Sequence, residues 1–363
     1  MLQRLALFLI AALLSWPAQA VSVAFINPGR SSEAFWLAAS NAMAQASQSL
    51  GIRLEVLYAE REHLRGLELV KALVARPPAE RPDYLLFSND YGTAPEMLRL
   101  VDGSGIRVLL VFSSIHGADQ RQVGRPREKY PFWLGSLEPD AEEAGYLTAK
   151  SLIEKGRQAR LQGADGLLHL LALAGDRSTP SSAARNSGLQ RALAEAPDVV
   201  LDQLVYANWN LDKAAEKTRW LIRRHPEARL LWSGSDQIAF GAMKAWRERG
   251  GTPGRDGLFS GVNTSTQAME AIQRGELSAL AGGHFLAGAW GLVMVHDHAR
   301  GRDFSEEGLD LVRPMFTLFN PERARYFVQR FGGAQLPLDF RQYSKALNPR
   351  VQRYQFDVAV LLR

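Results

Sequence analysis

From residue 21 onward, short and nearly unbroken apolar runs alternate with longer stretches in which apolar positions recur three and four residues apart. The first run, Val21-Ser-Val-Ala-Phe-Ile26, ends at the turn Asn27-Pro28-Gly29 and is followed by a predicted helix over 34–50. Further strands are predicted at 53–58, 83–87 and 107–112, with helices at 63–75 and 94–102. Strands buried on both faces read as continuous apolar runs, so this half predicts a parallel, doubly wound sheet covered by helices. Residues 115–130 turn polar and arginine-rich, which predicts a long surface loop before a strand at 132–135. The alternation then restarts, with helices at 141–155, 182–195, 211–225 and 237–249 and strands at 166–173, 199–206, 228–232 and 258–262. A helix at 266–275, a strand at 277–281 and a helix at 287–301 follow. The remainder is aromatic and arginine-rich, with a weak final strand near 356–362.

Residues 1–20 break this pattern. One arginine, an apolar run from Leu5 to Trp16 and the small-residue stretch Ala18-Gln19-Ala20 predict a cleavable signal peptide over 1–20. The alternative, an uncleaved anchor, needs about 20 apolar residues, and this run is shorter and is broken by Pro17. The expectation is a periplasmic protein, not membrane-embedded after cleavage. The 363 residues carry 43 basic and 38 acidic side chains dispersed along the chain, so the net charge of +5 does not predict a nucleic-acid partner. Absence of cysteine excludes disulfides, thiolate metal sites and thiol nucleophiles.

In open parallel sheets, ligands bind beyond the carboxyl ends of the strands. Residues at those positions include Ser31, Phe35, Trp36, Asp90, Ser113, Arg185, Trp209, Ser235, Asp236, Asn263 and His284. The strand-end segments are rich in neutral hydrogen-bonding groups and aromatics and poor in clustered carboxylates or histidines. That set suits a small polyhydroxylated ligand, whose hydroxyls must regain partners when they leave water. No metal, cofactor or catalytic residue is expected. The glycines at 250–257 lack a following Gly-Lys-Ser/Thr and helix, no Gly-x-Ser-x-Gly elbow occurs, and the i and i+2 histidines of His296-Asp297-His298 would diverge on a solvated helix surface.

Phe35-Trp36, Ser181-Ser-Ala-Ala-Arg185-x-x-Gly188, Ser233-Gly-Ser-Asp236-Gln-Ile-Ala-Phe-Gly241, Ser260-Gly-Val-Asn263 and Ala271-Ile-Gln-Arg-Gly275 together resemble the type I periplasmic sugar-binding proteins, the ribose-binding group. The loop before Phe132 and the Asn320-Pro-Glu-Arg323 segment are similar to the autoinducer-2 receptor branch. The resemblance implies that Trp36 stacks on the ligand, that Arg185 and Asp236 bond its hydroxyls, and that Asn263 sits between the lobes. Asn263 stands where the ribose members carry Asp, and no Asp-Arg pair follows Phe112, which leaves the ligand a carbohydrate-like or furanose-like compound. Structural alternatives stay open. Trp36 could cap the first core, Asp236 could be an N-cap, Arg185 could pair on the surface, and Trp209 could be packing between the lobes.

The expected architecture is two doubly wound α/β lobes joined by three crossovers, near Gly135, Gly283 and Leu311. One lobe takes 21–135 and 285–311; the other takes 136–284 and 312–363. The expected function is capture of a sugar-like ligand for a membrane ABC permease. The alternative is a receptor subunit reporting to a membrane sensor kinase or cyclase, a reading that the loop and the tail favour, although the tail could instead pack on the second lobe. An enzyme is disfavoured because a glycosidase needs two poised carboxylates, and only Glu33, Asp90 and Asp236 are candidates. A repressor would need a DNA-binding segment where the leader stands.

Overall fold

The computed structural model describes residues 20–333 and 336–362; the predicted signal peptide, apart from Ala20, lies outside them. The first sheet contains β1 (Ser22–Asn27), β2 (Arg53–Tyr58), β3 (Tyr84–Phe87), β4 (Arg107–Val111), β5 (Trp133–Pro139) and β11 (Asp310–Arg313). Its order is β11-β5-β4-β3-β1-β2 and every pairing is parallel. The second sheet contains β6 (Leu168–Ala174), β7 (Val199–Tyr206), β8 (Leu230–Ser233), β9 (Leu258–Val262), β10 (Ala279–Gly282) and β12 (Thr317–Leu318). Its order is β12-β10-β9-β8-β6-β7, with β12 alone antiparallel. The central strands β1, β3, β8 and β9 are buried along their whole length, which is why they read as unbroken apolar runs.

The chain passes between lobes after β5, at Gly283 and between β11 and β12. The first passage comes later than the Gly135 expected from sequence, because β5 keeps pairing with β4 through Leu137 and with β11 through Pro139. Gly283 needs to be glycine: its φ is 125°, and a Cβ would meet the Val358 side chain and the Met315 carbonyl.

Four further expectations are corrected. The 115–130 stretch holds a helix, Gly117–Val123, and Ile115, Val123 and Tyr130 are buried under it, so it is not simply a surface loop. The last residues form a short 3-10 turn, Val358–Leu362, rather than a strand. The aromatic residues before it dock on a helix rather than on a sheet edge, with the Phe356 ring stacked at 5.1 Å on Trp290 of the Ala287–Ala299 helix.

The third correction concerns His296 and Asp297, which are fully buried rather than solvated. Asp297 accepts hydrogen bonds from the Ser344 hydroxyl, the Lys345 N–H at 2.6 Å, the Ala346 N–H at 3.2 Å and the Tyr354 hydroxyl at 2.9 Å. The helix Pro321–Phe331 packs on the second lobe against Thr266–Gln273, whereas Phe340–Tyr343 and Phe356 return to first-lobe helices and the final turn, Val358–Leu362, packs back on Pro321–Phe331. Dividing the lobes at 311/312 therefore cuts through β11, and assigning all of 312–363 to the second lobe leaves out this return.

Candidate functional site

Both sheets point their carboxyl ends at one space between the lobes. On the first-lobe side, the Asn27 side chain at the end of β1 donates to the Trp36 carbonyl at 3.2 Å and to Ser40 at 3.0 Å, and accepts from the Gly29 N–H at 2.9 Å. That pins the start of the Ala34–Leu50 helix and sets Trp36 edge-on to Phe112, with centroids 5.0 Å apart. Phe35 stacks on His284 at 4.5 Å. Asp90, buried after β3, accepts from the Ser88 hydroxyl at 3.0 Å.

On the second-lobe side, Arg185 projects from the Pro180–Ala194 helix. Gly145 and Gly188 let this helix touch the backbone of the Ala141–Gln158 helix, since a Cβ on Gly188 would meet the Glu142 carbonyl and one on Gly145 the Arg185 backbone. Gly188→Ala is expected to push the Arg185-bearing helix outward and to lower stability by about 1–3 kcal/mol, read by denaturant unfolding.

The Arg185 guanidinium is buried. It donates to the Gly234 carbonyl at 2.7 Å and to His284 Nε2 at 3.2 Å, while its Nε has no partner among the described residues. It lies 5.5 Å from the Trp209 ring and 5.8 Å from the Phe316 ring. Burial pushes its pKa down to about 10, with the charges of Asp236 and Asp90 pulling the other way. Burial and the neighbouring Arg185 charge also hold His284 well below the usual imidazole range, so it is neutral near pH 7. An arginine N–H only donates, so His284 Nε2 accepts and the ring proton sits on Nδ1, which is buried and unpartnered. The indole Nε1 of Trp36 is likewise without a partner.

These groups line a cavity of about 350 Å³, near the lower end of the roughly 300–1,000 Å³ usual for small-molecule sites. Of the residues singled out from sequence, Phe35, Trp36, Asp90, Arg185, Trp209, Ser235, Asn263 and His284 line it. Asp236 stands behind the wall. Its carboxylate, pushed up by burial, accepts from Asn263 Nδ2 at 2.8 Å and from the Ser265 hydroxyl at 2.5 Å, so it fixes the two rather than facing the cavity. Nor is it the N-cap; Ser235 is, accepting from the Ile238 N–H at 3.3 Å.

Ser31 is exposed and points no group into the cavity; its N–H donates to Glu60 at 3.1 Å. After the left-handed turn at Phe112, the Ser113 hydroxyl is buried against Ser88 at 2.9 Å and borders a separate space of about 150 Å³ beside His116 and Glu138. Arg61, Gln237 and Ser181, not singled out from sequence as ligand-binding residues, also line the cavity. Inspecting the end of β2, as the other strand ends were inspected, would have found Arg61.

The cavity is thus lined by the Arg185 guanidinium, the neutral His284 ring, the Asp90 carboxylate and the aromatic side chains of Phe35, Trp36 and Trp209. Among the described residues, no group of three or more His, Asp or Glu could hold a metal ion, and no helix is long and apolar enough to cross a membrane.

This fold, with a cleft between two parallel-sheet lobes, defines a binding protein of the type I periplasmic class. Residues 23–303 match the family model described as periplasmic binding protein domain, and the chain belongs to that family. It is similar to a periplasmic sugar-binding protein from Pseudomonas fluorescens, with a TM-score of 0.84 and 41% identity over 94% of this chain and 100% of that one. The arabinose transporter's binding component from Shewanella, solved with arabinofuranose bound, shares the fold with a TM-score of 0.70 at 17% identity, over 85% of this chain and 95% of that one. A xylitol-binding protein from Mycolicibacterium smegmatis is 27% identical over 37% of this chain and 37% of its own length.

Proposed function

We propose that this chain is a periplasmic solute-binding protein that closes its two lobes on a small, uncharged, sugar-like ligand and delivers it to an ABC importer. The observation that carries this reading is Arg185: a buried guanidinium whose partners among the described residues are the neutral Gly234 carbonyl and His284, lining the same cavity as Asp90 and Trp36. A ligand hydroxyl that accepts from Arg185 and donates to Asp90 touches both lobes at once. Contacts of that kind exist only in the closed form, so they shift the hinge equilibrium toward it. Sugar binding by the similar Pseudomonas fluorescens protein supports the ligand class.

Glycosidase chemistry finds no support in the geometry, since Glu33 and Asp90 are both tied to Arg61 and Asp236 is turned away from the cavity. The receptor reading drew on the loop before Phe132 and on the arginine- and aromatic-rich tail; Phe340, Tyr354 and Phe356 of that tail are buried within the fold, which supports packing over partner docking. Transport therefore stands first.

A thermal-shift screen of the chain from Val21 onward against pentoses, hexoses, polyols and autoinducer-2 tests the proposal. A sugar or polyol at about 100 times its Kd should stabilise the protein by about 2.7 kcal/mol; no shift from any of them would overturn it. Asp236→Ala should abolish the ligand-induced shift, because Asn263 and Ser265 lose the acceptor that fixes them. An unchanged shift would remove Asp236 from the binding apparatus.

A further inference from the structure

Directly after β2, Glu60 and Arg61 both adopt left-handed backbone, with φ of 54° and 65°. Residues that carry a side chain hold this conformation only where their surroundings impose it, and such positions concentrate at functional sites. Here the turn is fastened to the first loop, with the Glu60 N–H on the Gly29 carbonyl at 3.0 Å and the Arg61 N–H on the Pro28 carbonyl at 3.1 Å. It delivers the Arg61 guanidinium to the cavity wall. There Arg61 grips Glu33 through two bonds of 2.9 and 2.5 Å, reaches Asp90 at 3.4 Å and lies 6.0 Å from the Trp36 ring. The side chains of Arg61 and Asp90 are only 13% and 10% exposed, so solvent screens their attraction weakly.

We infer that Arg61 is a positioning residue, which holds the Asp90 carboxylate and the Trp36 indole on the first-lobe wall so that a ligand hydroxyl meets a charged, oriented acceptor. The inference rests on the reading above in one respect, that the cavity takes a hydroxylated ligand. Asp90 faces Arg61 from the β2 turn, Glu33 from the start of the Ala34–Leu50 helix, Ser88 and Tyr91 on its own loop, and Asp176 and Arg185 from the second lobe. Burial pushes its carboxyl up; Arg61 and the Ser88 hydroxyl pull it down, and Glu33 and Asp176 push it up again. Without the Arg61 charge, Glu33 and Asp90 become an unneutralised carboxylate pair, and Asp90 takes a proton and turns from acceptor to donor. Without the Glu33 charge, Arg61 is free to serve Asp90 alone, and the shift reverses.

That opposition of sign is the test. Carboxyl-carbon NMR of the chain labelled at aspartate follows the Asp90 titration in the absence of any ligand. Arg61→Met should raise its midpoint by about 1–3 pH units, Glu33→Gln should lower it, and Arg61→Lys should return it part of the way. Should Arg61→Met fail to fold, the downward shift in Glu33→Gln still decides. An Asp90 midpoint unchanged in every folded variant would overturn the inference. Calorimetry with xylitol and L-arabinose adds a second reading. Affinity lost in Arg61→Met at pH about 7 should recover as the pH rises, whereas a purely structural defect would be independent of pH. If neither probe binds the unaltered chain, these two compounds are excluded as ligands, while the Asp90 titration still judges Arg61.

Discussion

Arg185→Met is expected to weaken binding of the proposed ligand severely while making the empty protein more stable. The two effects have one cause. Truncating a buried, hydrogen-bonded charge at a binding interface costs about 2–5 kcal/mol, or roughly 30- to several-thousand-fold in Kd, and Arg185 supplies a buried cation from the second lobe to the cavity. In the empty protein, the same guanidinium is buried without a carboxylate partner, and that burial pushes its pKa down to about 10. The group is charged in both the folded and unfolded chain at neutral pH, so the native state carries the burden at every pH below about 10. Methionine fills a similar volume without charge, and the melting temperature should rise by about 2 °C or more even after the bond to Gly234 is lost. Calorimetry and thermal unfolding read the two halves separately. Full binding by the variant would remove Arg185 from the site, and a large loss of stability would make it structural.

Asp297→Ala has the second large effect, on stability alone. The carboxylate gathers donors from Ser344, Lys345, Ala346 and Tyr354, and it anchors the returning tail on the helix that also carries Trp290. Removal leaves buried donors without an acceptor, at an expected cost of about 3–5 kcal/mol. The melting temperature should fall by on the order of 10 °C, and the segment after Phe331 should become sensitive to limited proteolysis. Burial pushes the Asp297 carboxyl up, but hydrogen bonds from His296, Ser344, the Lys345 N–H and Tyr354 outweigh it and hold the group below the usual range. Its contribution is therefore complete above the unfolded pKa of about 3.9 and is lost as pH falls through the lower folded value. The variant and the parent should converge in stability at strongly acidic pH. A tail equally resistant to protease in both would refute the anchor.

Much of this architecture was legible in the chain. Buried parallel strands leave unbroken runs such as Val21 to Ile26 and Leu258 to Val262, and each was found close to its true span. Ligand-facing positions were legible for the same reason, because the sheet places strand ends at the cleft. That rule locates a residue but not its side chain. Ser113 follows β4 as expected, yet the left-handed turn at Phe112 leaves its hydroxyl on Ser88, and Asp236 sits in the expected segment but serves Asn263. Arg61 follows the end of β2, where the same rule locates it, but its pairing with Glu33 and Asp90 is made only by the fold. His296 and Asp297 were misjudged because helix periodicity describes the helix alone, and their burial comes from residues far along the chain.

Small-angle X-ray scattering of the chain from Val21 onward, alone and with a saturating amount of the sugar that stabilises it most, tests hinge closure most directly. The account predicts a smaller radius of gyration with sugar, and no change when Arg185→Met receives the same addition. Tight binding with an unaltered radius, or the same contraction in the variant, would contradict it.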